Sequence, residues 1–185
     1  MKYPNTSRRS FLGKTAVAVA GVTFFSTQET LAHLLNNSSP FIGYNPFSEA
    51  KSDLRTFLSL EKTLKVSGVV YDSDGIKTIP NAKIEVWHLS PNSNKYKHRG
   101  YFFSDAEGHY TFKTDYPNRT EGKKPRIYFK TTKGNTTRFT ELVLDKNCAY
   151  ITSEHWAQNT ALKNKLYPKF KSSPSEHKIQ FNFTI

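Results

Sequence analysis

The sequence predicts an all-β protein: an antiparallel β-sandwich of about seven short strands, with a short helix or irregular segment before the last of them. Three observations carry this. Apolar and polar residues alternate along several short runs, the period of a half-buried strand. Clusters containing Asp, Asn, Ser and Gly separate the runs. Aromatic residues make up 14% of the chain, and aromatic side chains favour strands over helices. A chain of 185 residues builds one domain with a proper core and is short for two.

Taken in order, residues 33–63 read first as an arm, rich in Asn, Ser and Pro and without clear period up to Ser52. Within it, Asp53–Leu60 has the composition for one or two helical turns. The strands follow from Leu64, so residues 64–185 form the predicted sandwich. Leu64–Tyr71 alternates at first and turns apolar at Val69 and Val70, and Asp72–Gly75 is turn chemistry, because Asp and Gly tolerate the backbone angles of a tight turn. Ala82–His88 alternates strictly, with Ile84 and Val86 on one face and Lys83, Glu85 and Trp87 on the other. Gly100–Phe103 and His109–Lys113 flank a second hairpin-like turn at Asp105–Gly108. Arg126–Thr131, Phe139–Leu144 and Lys178–Ile185 complete the set, the last placing Ile179, Phe181, Phe183 and Ile185 on one face. Only Glu154–Leu166 has helical composition, and Pro168 stops it.

The formal charge is +12, from 27 Lys and Arg against 15 Asp and Glu. That raises a nucleic-acid reading, but the basic residues are scattered and match no helix-turn-helix, RNP or zinc-finger pattern, so no nucleic-acid partner is expected. A solvated basic face, attracted to anionic envelope surfaces, accounts for the charge. The single cysteine, Cys148, excludes an internal disulfide framework and reads as a small buried or half-buried hydrophobe. His33, His155 and His177 read as surface residues.

Residues 1–32 read as an address. Arg8-Arg9 is followed by Ser10-Phe11-Leu12 and then an apolar run from Ala16 to Phe25, about half the length that a spanning helix needs. This pattern predicts twin-arginine export to the periplasm or beyond, with cleavage near Ala32.

The stretch from Gly68 to Phe129 carries a family resemblance. Gly68-Val-Val-Tyr-Asp72, Ile79-Pro-Asn-Ala-Lys-Ile-Glu-Val-Trp-His88, Tyr96-Lys-His-Arg-Gly-Tyr101, Ser104-Asp-Ala-Glu-Gly-His-Tyr-Thr-Phe-Lys-Thr114 and Tyr116-Pro117 are together similar to the intradiol ring-cleavage dioxygenases. With the later strands included, the resemblance spans roughly Leu64–Ile185. It implies a sandwich carrying non-haem Fe(III), which opens catecholic rings with O2, and hence an aromatic small-molecule substrate. It also implies four iron ligands, two tyrosines and two histidines. Tyr96 and Tyr116 match the tyrosine positions, and a phenolate is a hard donor suited to a hard ferric ion. The histidines belong in a His-x-His on the next strand, after an Arg-Pro. Here Arg126 and Tyr128 fill those places, and Lys124 stands near the family arginine that would be catalytic. Arginine keeps its proton and offers a metal no lone pair. His98, two residues beyond Tyr96, is the candidate substitute ligand; His88 lies in the same region but belongs beside the strand tryptophan rather than on a metal.

Two functions follow. One is an exported ferric dioxygenase using Tyr96, Tyr116 and either Tyr128 or a displaced histidine. The other is a non-catalytic sandwich module that has lost the metal, its basic cleft of Arg99, Lys124 and Arg126 offering a site for an anionic envelope ligand.

Overall fold

The computed structural model describes residues 39–56 and 62–185. The chain divides into a unit of residues 1–40 and a unit of residues 41–185; the second is the sandwich. The predicted export signal over 1–32 lies outside the described residues. So does the end of the predicted helical turn at 53–60, whose described part, Asp53–Thr56, is not helical.

Among the described residues there are ten strands: β1 (Thr63–Tyr71), β2 (Lys83–His88), β3 (His98–Phe103), β4 (His109–Thr114), β5 (Arg126–Lys133), β6 (Thr136–Asp145), β7 (Cys148–Ile151), β8 (Lys169–Ser172), β9 (Glu176–Gln180) and β10 (Phe183–Thr184). A helix, α1 (Ser153–Asn159), and a 3-10 stretch (Thr160–Lys165) lie between β7 and β8. Every predicted strand is found, as is the short helix before the final strands. The helix is shorter than its composition suggests, because the 3-10 stretch breaks at Lys163, which takes a positive φ of 52°. Thr152 starts α1 by accepting a hydrogen bond from the His155 amide, the usual service of an N-cap threonine.

One sheet runs β3-β2-β5-β6-β7 and is antiparallel throughout. In the other, β1 has β4 antiparallel along one edge. Along its other edge it has β9 and then β10, both parallel to it, and β8 lies beyond β9. The predicted last strand is thus two strands, interrupted at Phe181 and Asn182. The Asn182 side chain fills the gap, accepting from the Val69 amide at 3.0 Å and donating to the Lys165 carbonyl at 2.8 Å. Backbones come so close here that a Cβ on Gly68 would sit 1.8 Å from the Phe181 carbonyl oxygen, so this position requires glycine.

The inner faces supply the core. Leu64, Val66, Ile84, Val86, Phe112, Ile127, Phe129, Leu142, Leu144, Ile179 and Phe181 are all essentially sealed from solvent, each worth about 1.5–3 kcal/mol of burial. Ile179, Phe181 and Phe183 face the core as the alternation predicts, with Ile185 packed beside them. His155 is a correction to the surface reading. It is buried to 1% exposure, with its ring on Phe181 and Nδ1 hydrogen-bonded to Thr140 Oγ1.

The segment 41–56 is more than an arm over the surface. Glu49 and Lys51 exchange backbone hydrogen bonds with Tyr101 on β3, and Ser52 and Leu54 do the same with Lys113 on β4. The segment therefore pairs with the open edge of both sheets. Upstream of this, Tyr44 is buried on the outer face of β2 and β5, against Trp87, whose indole donates to the Ile42 carbonyl. Both faces of the first sheet are covered, which explains how Trp87, outward in the strand alternation, is only 2% exposed.

Candidate functional site

Strand β5 presents Arg126, Tyr128 and Lys130 on the outer face of the first sheet, because Ile127, Phe129 and Thr131 point into the core. Tyr128 stands opposite Trp87 on β2 and Glu141 on β6. Its ring stacks between Trp87 and Phe41, with centroids at 5.6 and 4.9 Å. Tyr96 arrives from the β2–β3 loop, which the Ser90 amide closes by donating to the Lys95 carbonyl. Its ring lies directly over Gly43, where any Cβ would meet ring carbons at 2.3 Å. Tyr96 and Tyr128 are 6.3 Å apart between centroids, close enough for their hydroxyls to act on each other.

These two tyrosines line one small cavity together with Leu89, Asn118, Thr120, Lys124 and Arg126. Its free space is about 10 Å³, room for roughly one water. The charges around it are matched internally. Arg126 Nη1 donates to Glu141 Oε1 at 2.5 Å and Lys124 Nζ to Asp145 Oδ2 at 2.6 Å, while Arg99 donates to the Tyr96 carbonyl. The Arg126 Nε is buried with no hydrogen-bond partner. Burial pushes the Tyr128 phenol up to about 12, with the neighbouring Tyr96 and Glu141 adding to the effect. Burial likewise raises Tyr96, against opposing contacts from Tyr128 and Thr120.

Of the residues singled out in the sequence, the structure thus brings together Tyr96, Lys124, Arg126 and Tyr128. Tyr116 and His98 are not among the residues that line the cavity. Tyr116 follows β4, packs against the core and does not line the cavity. Its phenol is pushed up to about 12 by burial and then by Asp145 and Cys148. His98 lies between the sheets, its Nδ1 2.8 Å from Ser90 Oγ and its Nε2 2.9 Å from Asp115 Oδ2, with its ring 4.9 Å from that of His88. His88 is itself sealed, bonded to the Leu89 carbonyl and to Thr114 Oγ1. Cys148 is free and half-buried. Glu141 was not among the sequence candidates, although it is the residue that neutralises Arg126. Its signal was available: a carboxylate interrupting the apolar run Phe139–Leu144, two residues from Phe139 and hence on the same outer face.

As a donor set for ferric iron, this cluster does not fit. It offers two neutral phenols, a guanidinium and an ammonium, with no imidazole among them. At about 4 Å and an effective dielectric of about 20, each charge product costs roughly 4 kcal/mol, and a trivalent ion multiplies that by three before Glu141 offsets part of it. Among the described residues, no three His, Cys, Asp or Glu side chains gather as a metal-binding group.

No protein-family model matches the chain, and no curated protein does. Solved structures do. The dioxygenase domain of a dioxygenase–carbohydrate-binding protein fusion from Streptomyces sp. SirexAA-E aligns with a TM-score of 0.61 at 19% identity, covering 80% of this chain and 95% of that one. An intradiol ring-cleavage dioxygenase from Tetranychus urticae aligns at 0.58 and 15% identity, over 80% and 90%. A 3-chlorocatechol 1,2-dioxygenase from Rhodococcus opacus 1CP aligns at 0.58 and 13% identity, over 97% and 89%. The chain therefore has the fold of the intradiol dioxygenases.

Proposed function

We propose that this chain is an exported intradiol dioxygenase-like protein whose pocket no longer supports ferric ring opening, and that it serves as a binding or structural module of the envelope. The observation that carries this reading is the state of the two positions where histidines are expected. Arg126 is ion-paired to Glu141, and Tyr128 is wedged between Phe41 and Trp87 with its phenol raised. Neither presents an imidazole lone pair. The cavity they line holds about one water, so a catechol enters only if Tyr96 or the 118–124 loop moves. The competing reading, a working Fe(III) enzyme acting on an aromatic small molecule, is favoured by the approach of two phenols, Tyr96 and Tyr128.

Ferric loading separates the two. The wild-type chain, incubated with Fe(III) and desalted, is expected to be colourless and to consume no O2 with catechol. Arg126→His combined with Tyr128→His removes the guanidinium and adds two neutral donors. Iron affinity is then expected to rise on the order of a thousandfold, the equivalent of about 4 kcal/mol, with a tyrosinate charge-transfer band that Tyr96→Phe abolishes. Stoichiometric iron in the wild type, with catechol cleavage, would overturn the proposal.

A further inference from the structure

The second sheet carries a separate feature on its outer face. Lys113 on β4 stands directly opposite Lys65 on β1, Lys65 opposite Lys178 on β9, and Lys178 opposite Lys171 on β8. All four point outward, since their strand neighbours Leu64, Val66, Phe112, Thr114 and Ile179 are buried and Phe170 packs on the core. Adjacent strands are about 4.8 Å apart, so the row crosses the sheet over roughly 14 Å. Like charges placed directly opposite destabilise a sheet, and here they recur across three consecutive pairings.

The row is only partly neutralised. Glu176 bonds Lys178 at 3.0 Å, and its carboxyl is held low by Lys178 first and then by Lys65 and Lys113. Among the described residues, the side chains of Lys65, Lys113 and Lys171 make no direct hydrogen bond or ion pair; Glu176 feels Lys65 and Lys113, and Asp53, which bridges to Lys113 and is itself paired with Arg55, feels Lys113, so the row keeps an excess of positive charge. Beside the row runs a second track of neutral hydrogen-bonding groups, in register with one another: Thr111, Ser67 and Gln180. These three line a groove of about 600 Å³ that also touches Lys65 and is bordered at its far end by Phe103, 52% exposed, His109 and Asp105, whose carboxylate accepts from the Glu107 and His109 amides.

We propose that this face binds a linear anionic polysaccharide of the polyuronate kind, lying across the strands. Such a chain carries one carboxylate and several hydroxyls on every ring. The lysine row takes the carboxylates, and Thr111, Ser67 and Gln180 take the hydroxyls. An anionic membrane fits less well, because the row is flanked by Thr111, Ser67 and Gln180 and, among the described residues, Phe103 is the one exposed large apolar side chain lining the groove, too little to insert. Single-stranded nucleic acid binds through a series of stacking aromatics, and among the described residues the groove is bordered by one exposed aromatic, Phe103 of the neighbouring β3.

The test uses the purified full chain on immobilised sodium polygalacturonate, with dextran, phosphatidylglycerol vesicles and oligothymidylate as competitors. Binding is expected on polygalacturonate and not on dextran, weakening as salt is raised. Lys65→Gln with Lys178→Gln is expected to weaken it at least tenfold, Lys65→Arg with Lys178→Arg to retain it, and Lys95→Gln with Lys146→Gln, away from the row, to leave it unchanged. The row variants relieve repulsion among the lysines and give up the surface Lys178–Glu176 pair; thermal melts verify that they fold. The proposal is overturned by absence of binding at low salt, by binding indifferent to the row, or by tighter binding to the vesicles or the oligonucleotide. None of these outcomes depends on the iron experiment.

Discussion

His88 and His155 are buried and hydrogen-bonded to neutral groups. Burial lowers both, His88 to about 3 and His155 to about 4, against an ordinary 6.5. The unfolded chain therefore takes up protons first as the pH falls. Stability is complete above about 6.5 and drains away towards 4 and 3, each histidine contributing up to about 1.4 kcal/mol per pH unit. A melting temperature that declines steeply below pH 6.5, with a shallower decline in His155→Gln, is the expected outcome; a flat profile down to pH 4 would contradict it. The same scale shows what the sequence conveys about a site. Arg126 and Tyr128 share a face because residues two apart on a strand must, and that was legible. The direction of Tyr116 was not legible from its motif: a tyrosine ahead of a proline can turn inward, and its half-burial against the core, near Asp145, is set by packing. The surroundings of His98 were hidden for a related reason, since its ring nitrogens meet Ser90 and Asp115, whose approach no local pattern announces.

At the level of elements, the alternating runs became β1 to β6, because each has one face to bury. The runs that went unseen, β7 and β8, are four residues each, β7 mostly half-buried and β8 mostly exposed, with no fully buried position, so they carry little apolar signal. Nor does alternation state direction, and the parallel ladders of β9 and β10 on β1 could not be read from it. The junction between those two strands depends on Asn182, which serves a strand amide on one side and a carbonyl on the other. Asn182→Ala leaves the buried Val69 amide unpaired, while the Lys165 carbonyl, on an exposed residue, turns to water; the change is expected to cost about 1–3 kcal/mol, read as a lower urea midpoint with unchanged slope. A loss under about half a kcal/mol would mean that water replaces the amide there.

For the molecule as a whole, the excess of lysine and arginine is not spread evenly in effect. Around the tyrosine cavity the cations are matched by Glu141 and Asp145, whereas on the outer face of the second sheet they are mostly not. Net charge alone could not reveal this, because it is a property of register. The export reading also belongs at this scale. If the twin-arginine signal operates, Arg8→Lys together with Arg9→Lys leaves the precursor uncleaved in the cytoplasm by fractionation and immunoblot. Unchanged export of that variant rules the route out.

The parallel pairing of β1 has a consequence for synthesis. Val69 and the Asn182 side chain that receives its amide are 113 residues apart. While the chain is still being made, β1 can meet β4 but must wait for β9 and β10 on its other edge. Closing so long a loop is the slow part of folding such a topology. Until the C-terminal strands emerge from the ribosome, the bare edge of β1 is a template for neighbouring chains. The nascent protein therefore needs shielding at that edge for most of the time it takes to translate the sandwich.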